Sequence, residues 1–276
     1  MSVLRVIGYA IFGFFLLMML IFAVSLVIVT MQMPHVPLTH TPVRVSMQAA
    51  GITYEGPPTQ ALTGYYCVYN ASIASDGWIV NGTMYEPNQT AYSPPGYSIQ
   101  LNVGLPSGVE LQDVWGGSYT ALNGQVIAIP TQGEVWVNGT LIAMRDGPPA
   151  LNCGWLVIKI ENGTAYFGFS STGEDIDWFM TYPVGNTTIQ PGVNTGIVIA
   201  GPGGFAGVNF TSLYAVLALY YWNGTAWVPA PVVPGSTHTG EFVVNAWVYV
   251  SDNEGVVTWP GPMNETVSLP TPGFKP

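Results

Sequence analysis

The chain has 276 residues, of which 49% are hydrophobic and 7% charged. Five Lys and Arg against fifteen Asp and Glu give a formal net charge of −10, which excludes a nucleic-acid partner because phosphate binding needs clustered cations. The length allows one large or two small domains with a proper core. The shortage of cations also suits an acidic habitat, since little like-charge repulsion remains once the carboxylates protonate below about pH 3.

In chain order, residues 1–5 end at Arg5, and no charged side chain follows from Val6 to Met33. As a helix, residues 6–30 span about 37 Å, enough to cross a bilayer with some tilt. A cleaved signal peptide has a shorter apolar core and a small-residue cleavage site, so residues 6–33 read as an uncleaved transmembrane signal anchor. Arg5 keeps the N-terminus cytoplasmic, which places the rest of this single-pass chain outside the cell membrane. Residues 34–45, with Pro34, Pro37 and Pro42, read as an extended stalk, and 46–262 as an extracellular β-rich domain. Residues 263–276, with Pro270, Pro272 and Pro276, read as a loose tail.

Past the stalk no helical periodicity is sustained. A unit of strand, Asn-Gly turn and strand recurs at 78–85, 121–129, 135–144, 158–169 and 220–228. Asn-Gly favours the type I′ turn, whose positive φ values match the twist of paired strands. Further strands are expected at 64–70, 98–103, 109–115, 176–182, 196–200, 242–250 and 256–259. Many short strands with Gly and Pro turns indicate an all-β sandwich, either one unit or two halves meeting at 146–150. Nine N-x-S/T sequons, at Asn70, Asn81, Asn88, Asn138, Asn162, Asn186, Asn209, Asn223 and Asn264, are candidate carriers of N-linked glycans and mark exported surface. Cys67 and Cys153, the two cysteines, pair in an oxidising exterior; two buried free thiols are the alternative.

The chemistry-bearing residues are sparse. His35, His40 and His238 are scattered, with no H-E-x-x-H or paired-Cys spacing, so neither metal nor cofactor is expected. G-x-S-x-G and S-x-x-K are absent as well. The glycine-rich loop 201–207 lacks a following Lys-Ser/Thr and opens no helix, so it is not a phosphate loop. Carboxylates in apolar surroundings remain: Glu110, Asp113, Glu134, Asp175, Asp177 and Glu241. Two carboxyls sharing one proton can cleave an amide in acid, one activating water and the other protonating the leaving nitrogen.

The segment FTSLYAVLALYYWNGTAWVPAP (210–231) resembles the C-terminal half of the thermopsin family, archaeal secreted acid endopeptidases. SIQLNVGLPSGVELQDVW (98–115) resembles that family's Q-L-N-V strand and the element after it, with Gln112, Asp113 and Val114 at its end. The resemblance implies an all-β fold and acid endoproteolysis without metal or cofactor, for which Asp113, Glu241 and Asp177 are the candidate catalytic acids. Two positions depart from the family pattern: THTGE carries His238 where an Asp is usual, and Met180 stands where an acid is expected. The alternative is therefore a non-catalytic surface glycoprotein on the same scaffold. It would be an envelope-layer component or an accessory subunit of a membrane complex, with Gly8 and Gly13 allowing close helix packing.

Overall fold

Alternation decides how these segments pack. In Ser98–Gly104, Ile99, Leu101 and Val103 are fully buried in the main core, while Ser98, Gln100 and Asn102 take the opposite face. The computed structural model describes residues 35–37, 40–80, 83–85, 96–117, 119–120, 126–127, 129–192, 194–201, 206–235, 240–261, 265–267 and 269–276. The expected membrane segment, Asn81, Asn88, His238 and Asn264 lie outside them. No helix among the described residues is long and apolar enough to cross a membrane.

Two sheets stack face to face. The seven-stranded sheet runs, in spatial order, Thr140–Ala150, Ile129–Val137, Val109–Trp115, Ser98–Gly104, Gly196–Ala200, Ala50–Tyr54 and Val232–Gly235. The eleven-stranded sheet runs Asp177–Pro183, Thr164–Ser170, Cys153–Glu161, Ala61–Val80, Ala206–Trp222, Glu254–Trp259, Ala246–Ser251 and Val43–Val45, with three short strands added at its sides. Pairing is antiparallel in both, except where Phe242–Val243 lies parallel to Gly207 and Val208. One core cluster draws Leu101, Leu111 and Ile197 from the first sheet and Leu62, Phe167 and Leu217 from the second. The fold is all-β and sandwich-like.

Residues 146–150 do not separate two halves; they end the strand Thr140–Ala150, where Pro149 and Ala150 pair with Pro130 and Ile129. The expected stalk is partly sheet, since Val43–Val45 pairs with Ala246–Val248. The tail is docked rather than loose. Phe274 is buried with edge-on rings of Trp155 and Trp227 beside it, and its carbonyl accepts from Trp227 Nε1 at 2.8 Å. An aromatic among prolines is enough to anchor a terminus when a tryptophan pair waits for it, and the proline count alone hides this.

Cys67 and Cys153 face one another across paired strands and form a disulfide closing 86 residues. In the chain-entropy model such a loop contributes about 4–5 kcal/mol. Two Asn-Gly turns are the expected tight ones, with φ positive at Asn138 and Gly139 and at Asn162 and Gly163. At Asn223 the loop is longer. Trp222 pairs with Trp227, and Asn223 Oδ1 caps the turn by accepting from the N–H groups of Thr225 and Ala226.

Candidate functional site

The outward face of the seven-stranded sheet carries a polar row where an all-β core protein has no structural need of one. Gln100 lies opposite Val114 on one side and Val198 on the other; Asn102 lies opposite Gln112, and Gln112 opposite Glu134. Ser98, Gln100, Asn102 and Gln112 are all buried. Each therefore needs partners, and the partners form a chain. Ser98 Oγ donates to the Gly201 carbonyl at 2.7 Å, and Gln100 Nε2 donates to Ser98 Oγ at 2.8 Å. Gln100 Oε1 accepts from Asn102 Nδ2 at 3.4 Å, and Gln100 Nε2 donates to Glu241 Oε2.

Glu241 reaches this row from the other sheet. It precedes Phe242–Val243, which pairs with Gly207 and Val208. A Cβ at Gly207 would run into the Phe242 ring, so glycine there makes room for that ring. Both described ends of the glycine-rich loop thus serve one place: Gly201 receives Ser98, and Gly207 makes room beside Glu241. Further along the same face, Gln112 Nε2 donates to Glu110 Oε1 at 3.2 Å and Trp136 Nε1 to Glu134 Oε2 at 2.8 Å. Burial raises the Glu134 carboxyl above its ordinary pKa, and the Trp136 hydrogen bond partly offsets this. A cavity of about 150 Å³ lies between Glu110, Trp136 and Asn194. A larger one, about 660 Å³, opens between Arg44, Thr53, Glu55 and Gly235, away from Gln100.

The three candidate acids are not brought together. Asp113 shares its strand with Gln112 but takes the opposite parity, so it points into the core between the sheets. It is fully buried; Oδ2 accepts from the Val157 N–H at 2.9 Å, and Oδ1 has no hydrogen-bond partner among the described residues. Burial holds its carboxyl well above the usual range, with the Val157 hydrogen bond opposing. Asp177 is exposed at the start of the edge strand Asp177–Pro183, and Asp175 is exposed beside it. Met180, where an acid was sought, is a core residue lying opposite Phe167. Of the three, Glu241 alone stands on the polar face, which Glu110 and Glu134 also share. Its partner Gln100 was missed because an uncharged amide in a strand signals no chemistry. The available signal was Ser98, Gln100 and Asn102 at alternate positions of an otherwise apolar strand.

Of the sequons, Asn70, Asn138, Asn162, Asn186 and Asn223 are exposed and Asn209 is half-buried. Among the described residues no group of three His, Cys, Asp or Glu is placed to hold a metal.

No protein-family model matches the chain, and no curated protein matches it. Two solved structures show distant likeness. One is SCP-B, a member of the eqolisin family of peptidases, in complex with the tripeptide Ala-Ile-His; its TM-score is 0.36 at 8% identity, covering 78% of this chain and 98% of that one. The other is the galectin LEC-6 of Caenorhabditis elegans, with a TM-score of 0.24 at 11% identity, covering 62% and 95%. At such values neither likeness assigns a function.

Proposed function

We propose that this chain is a membrane-anchored extracellular glycoprotein with acid endopeptidase activity of the thermopsin type, carried by Glu241 and Gln100 rather than by two carboxylates. The supporting observation is the hydrogen bond from Gln100 Nε2 to Glu241 Oε2 on the polar outward face. In this reading Glu241 takes a proton from water as the water oxygen bonds to the substrate carbonyl carbon. The carbonyl electron pair moves onto its oxygen. The Gln100 N–H that pointed at Glu241 Oε2 turns to this oxygen as the carboxylate takes up its proton, the other N–H staying on Ser98 Oγ. Collapse breaks the C–N bond, and Glu241 returns the proton to the leaving nitrogen. Asp113 belongs to the core and Asp177 to an exposed edge, so neither takes part.

The test is cleavage of a denatured protein by the purified full-length chain in detergent from pH 1 to 5. Glu241→Gln is expected to lower kcat by about 10²–10⁴ and Gln100→Leu by about 10²–10³, as for loss of a general base and of an oxyanion donor. Asp113→Asn is expected to keep its activity. Undiminished cleavage by Glu241→Gln would reject the assignment.

One observation favours the second reading, a non-catalytic envelope-layer or accessory protein. The edge strand Thr140–Ala150 exposes Leu141, Ile142 and Met144, a surface that edge strands usually protect. Recovery from native membranes in fixed stoichiometry with another protein, with no cleavage at any pH, would support it.

A further inference from the structure

The Gln100 amide has two orientations that differ only in which atom faces Glu241. With nitrogen toward the carboxylate the pair attracts; with oxygen toward it two acceptors meet, and no donor is left for a substrate oxyanion. From the surroundings of this amide we infer that Ser98, supported by Asn102, is a positioning residue that holds Gln100 in its donor orientation. The inference rests on the acid-peptidase reading above.

The direction of the hydrogen bonds carries the argument. The Gly201 carbonyl can only accept, so the Ser98 hydroxyl at 2.7 Å must spend its proton there. Its oxygen is then left as an acceptor, and the Gln100 atom 2.8 Å away must be the nitrogen. On the other side Asn102 Nδ2 offers a donor to Gln100 Oε1 at 3.4 Å, the longer and weaker contact. Both neighbours favour the same rotamer. Ser98 is 3% exposed and Asn102 fully buried, so bulk water does not compete for either bond. The loop opening at Gly201 is thereby linked to Glu241 through two side chains.

Removing the hydroxyl by Ser98→Ala is expected to lower kcat about tenfold, the worth of one neutral buried hydrogen bond, with KM changed less than about twofold. Ser98→Thr, which keeps the hydroxyl, restores kcat. Asn102→Asp, nearly isosteric, keeps activity near pH 2.5 where the new carboxyl is protonated and can donate. It loses activity only where the new carboxyl ionises, above the ordinary carboxylate pKa of about 4 because the position is fully buried, and the carboxylate then repels Gln100 Oε1. In a Glu241→Gln background Ser98→Ala adds nothing further. A KM rise at constant kcat, a Thr variant as slow as the Ala variant, or an Asn102→Asp pH profile identical to the unsubstituted chain would each overturn the inference.

If the unsubstituted chain cleaves nothing, the peptidase reading falls, and an independent readout still decides the orientation. In full-length chain labelled with ¹⁵N-glutamine, the Gln100 side-chain NH₂ pair, identified by its loss in Gln100→Leu, is expected to exchange slowly with solvent. In Ser98→Ala the same pair exchanges faster and shifts. Identical spectra in the two would overturn the positioning role.

Discussion

Asp113 occupies the inward row of its strand between Leu111 and Trp115, both fully buried. One carboxyl oxygen accepts from the Val157 N–H of the facing sheet and the other has no hydrogen-bond partner among the described residues. Tyr66, in the strand Ala61–Val80, has its hydroxyl held well above the usual tyrosine range by burial and then by the charge of Asp113. The folded pKa thus lies well above the unfolded value of about 3.9. Below that unfolded value both states hold the proton and the carboxyl carries no ionisation penalty. Above it the unfolded chain ionises first, and stability falls with rising pH by up to about 1.4 kcal/mol per unit until the folded group ionises as well. Asp113→Asn is therefore expected to match the unsubstituted chain in denaturant midpoint at pH 3 and to exceed it at pH 7. Equal pH slopes in the two proteins would reject this. At this scale the sequence was half legible. The apolar setting of Asp113 was visible, but strand parity, which puts it on the far side of the sheet from Gln100 and Glu241, depends on a register that one strand does not reveal.

Elements were more legible than residues. Val109–Trp115 and Gly196–Ala200 are found at the expected bounds, because each is closed directly by a glycine, Gly116 and Gly201. The expected strand 242–250 instead divides into Phe242–Val243 and Ala246–Ser251. That break sets the place of Glu241, because the first piece joins Gly207 and Val208. Turn chemistry gives a direct check. Gly163 has φ of +76°, which costs a side chain about 1–2 kcal/mol, so Gly163→Ala is expected to lower the unfolding free energy by that amount without changing the denaturant slope. The docked terminus makes a larger claim. Phe274→Ala opens a cavity beside Trp155 and Trp227 and is expected to cost about 3–5 kcal/mol. A loss below about 0.5 kcal/mol would mean that the tail leaves the domain in solution. The tail was illegible from composition, since its prolines suggested looseness while its one aromatic decided the packing.

Across the whole molecule the charge distribution and the fold favour the same conditions. From residue 40 onward lie all fifteen carboxylates but only Arg44, Arg145, Lys159 and Lys275 as cations, a net of −11 at neutral pH. Near pH 2.5 most of the carboxylates are neutral, and those four cations with the two histidines leave a net close to +6. Self-repulsion scales roughly with the square of net charge, so it falls to about a third. Little attraction is lost in exchange. The Lys159–Glu161 pair, at 3.1 Å, is a surface contact with the glutamate half exposed, of a kind worth less than about 1 kcal/mol. The melting temperature is therefore expected to be higher at pH 2.5 than at pH 7. Salt separates this global effect from the local one at Asp113. Raising ionic strength from about 0.01 M to 1 M shortens the Debye length from roughly 30 Å to 3 Å, which screens surface repulsion but hardly reaches a carboxyl sealed between two sheets. Added salt should thus raise the melting temperature clearly at pH 7 and little at pH 2.5. In Asp113→Asn the difference that remains between the two pH values should nearly vanish at high salt. An equal salt response at both pH values, or a melting temperature that falls as pH drops below 4, would show that acid destabilises this sandwich as it does ordinary domains.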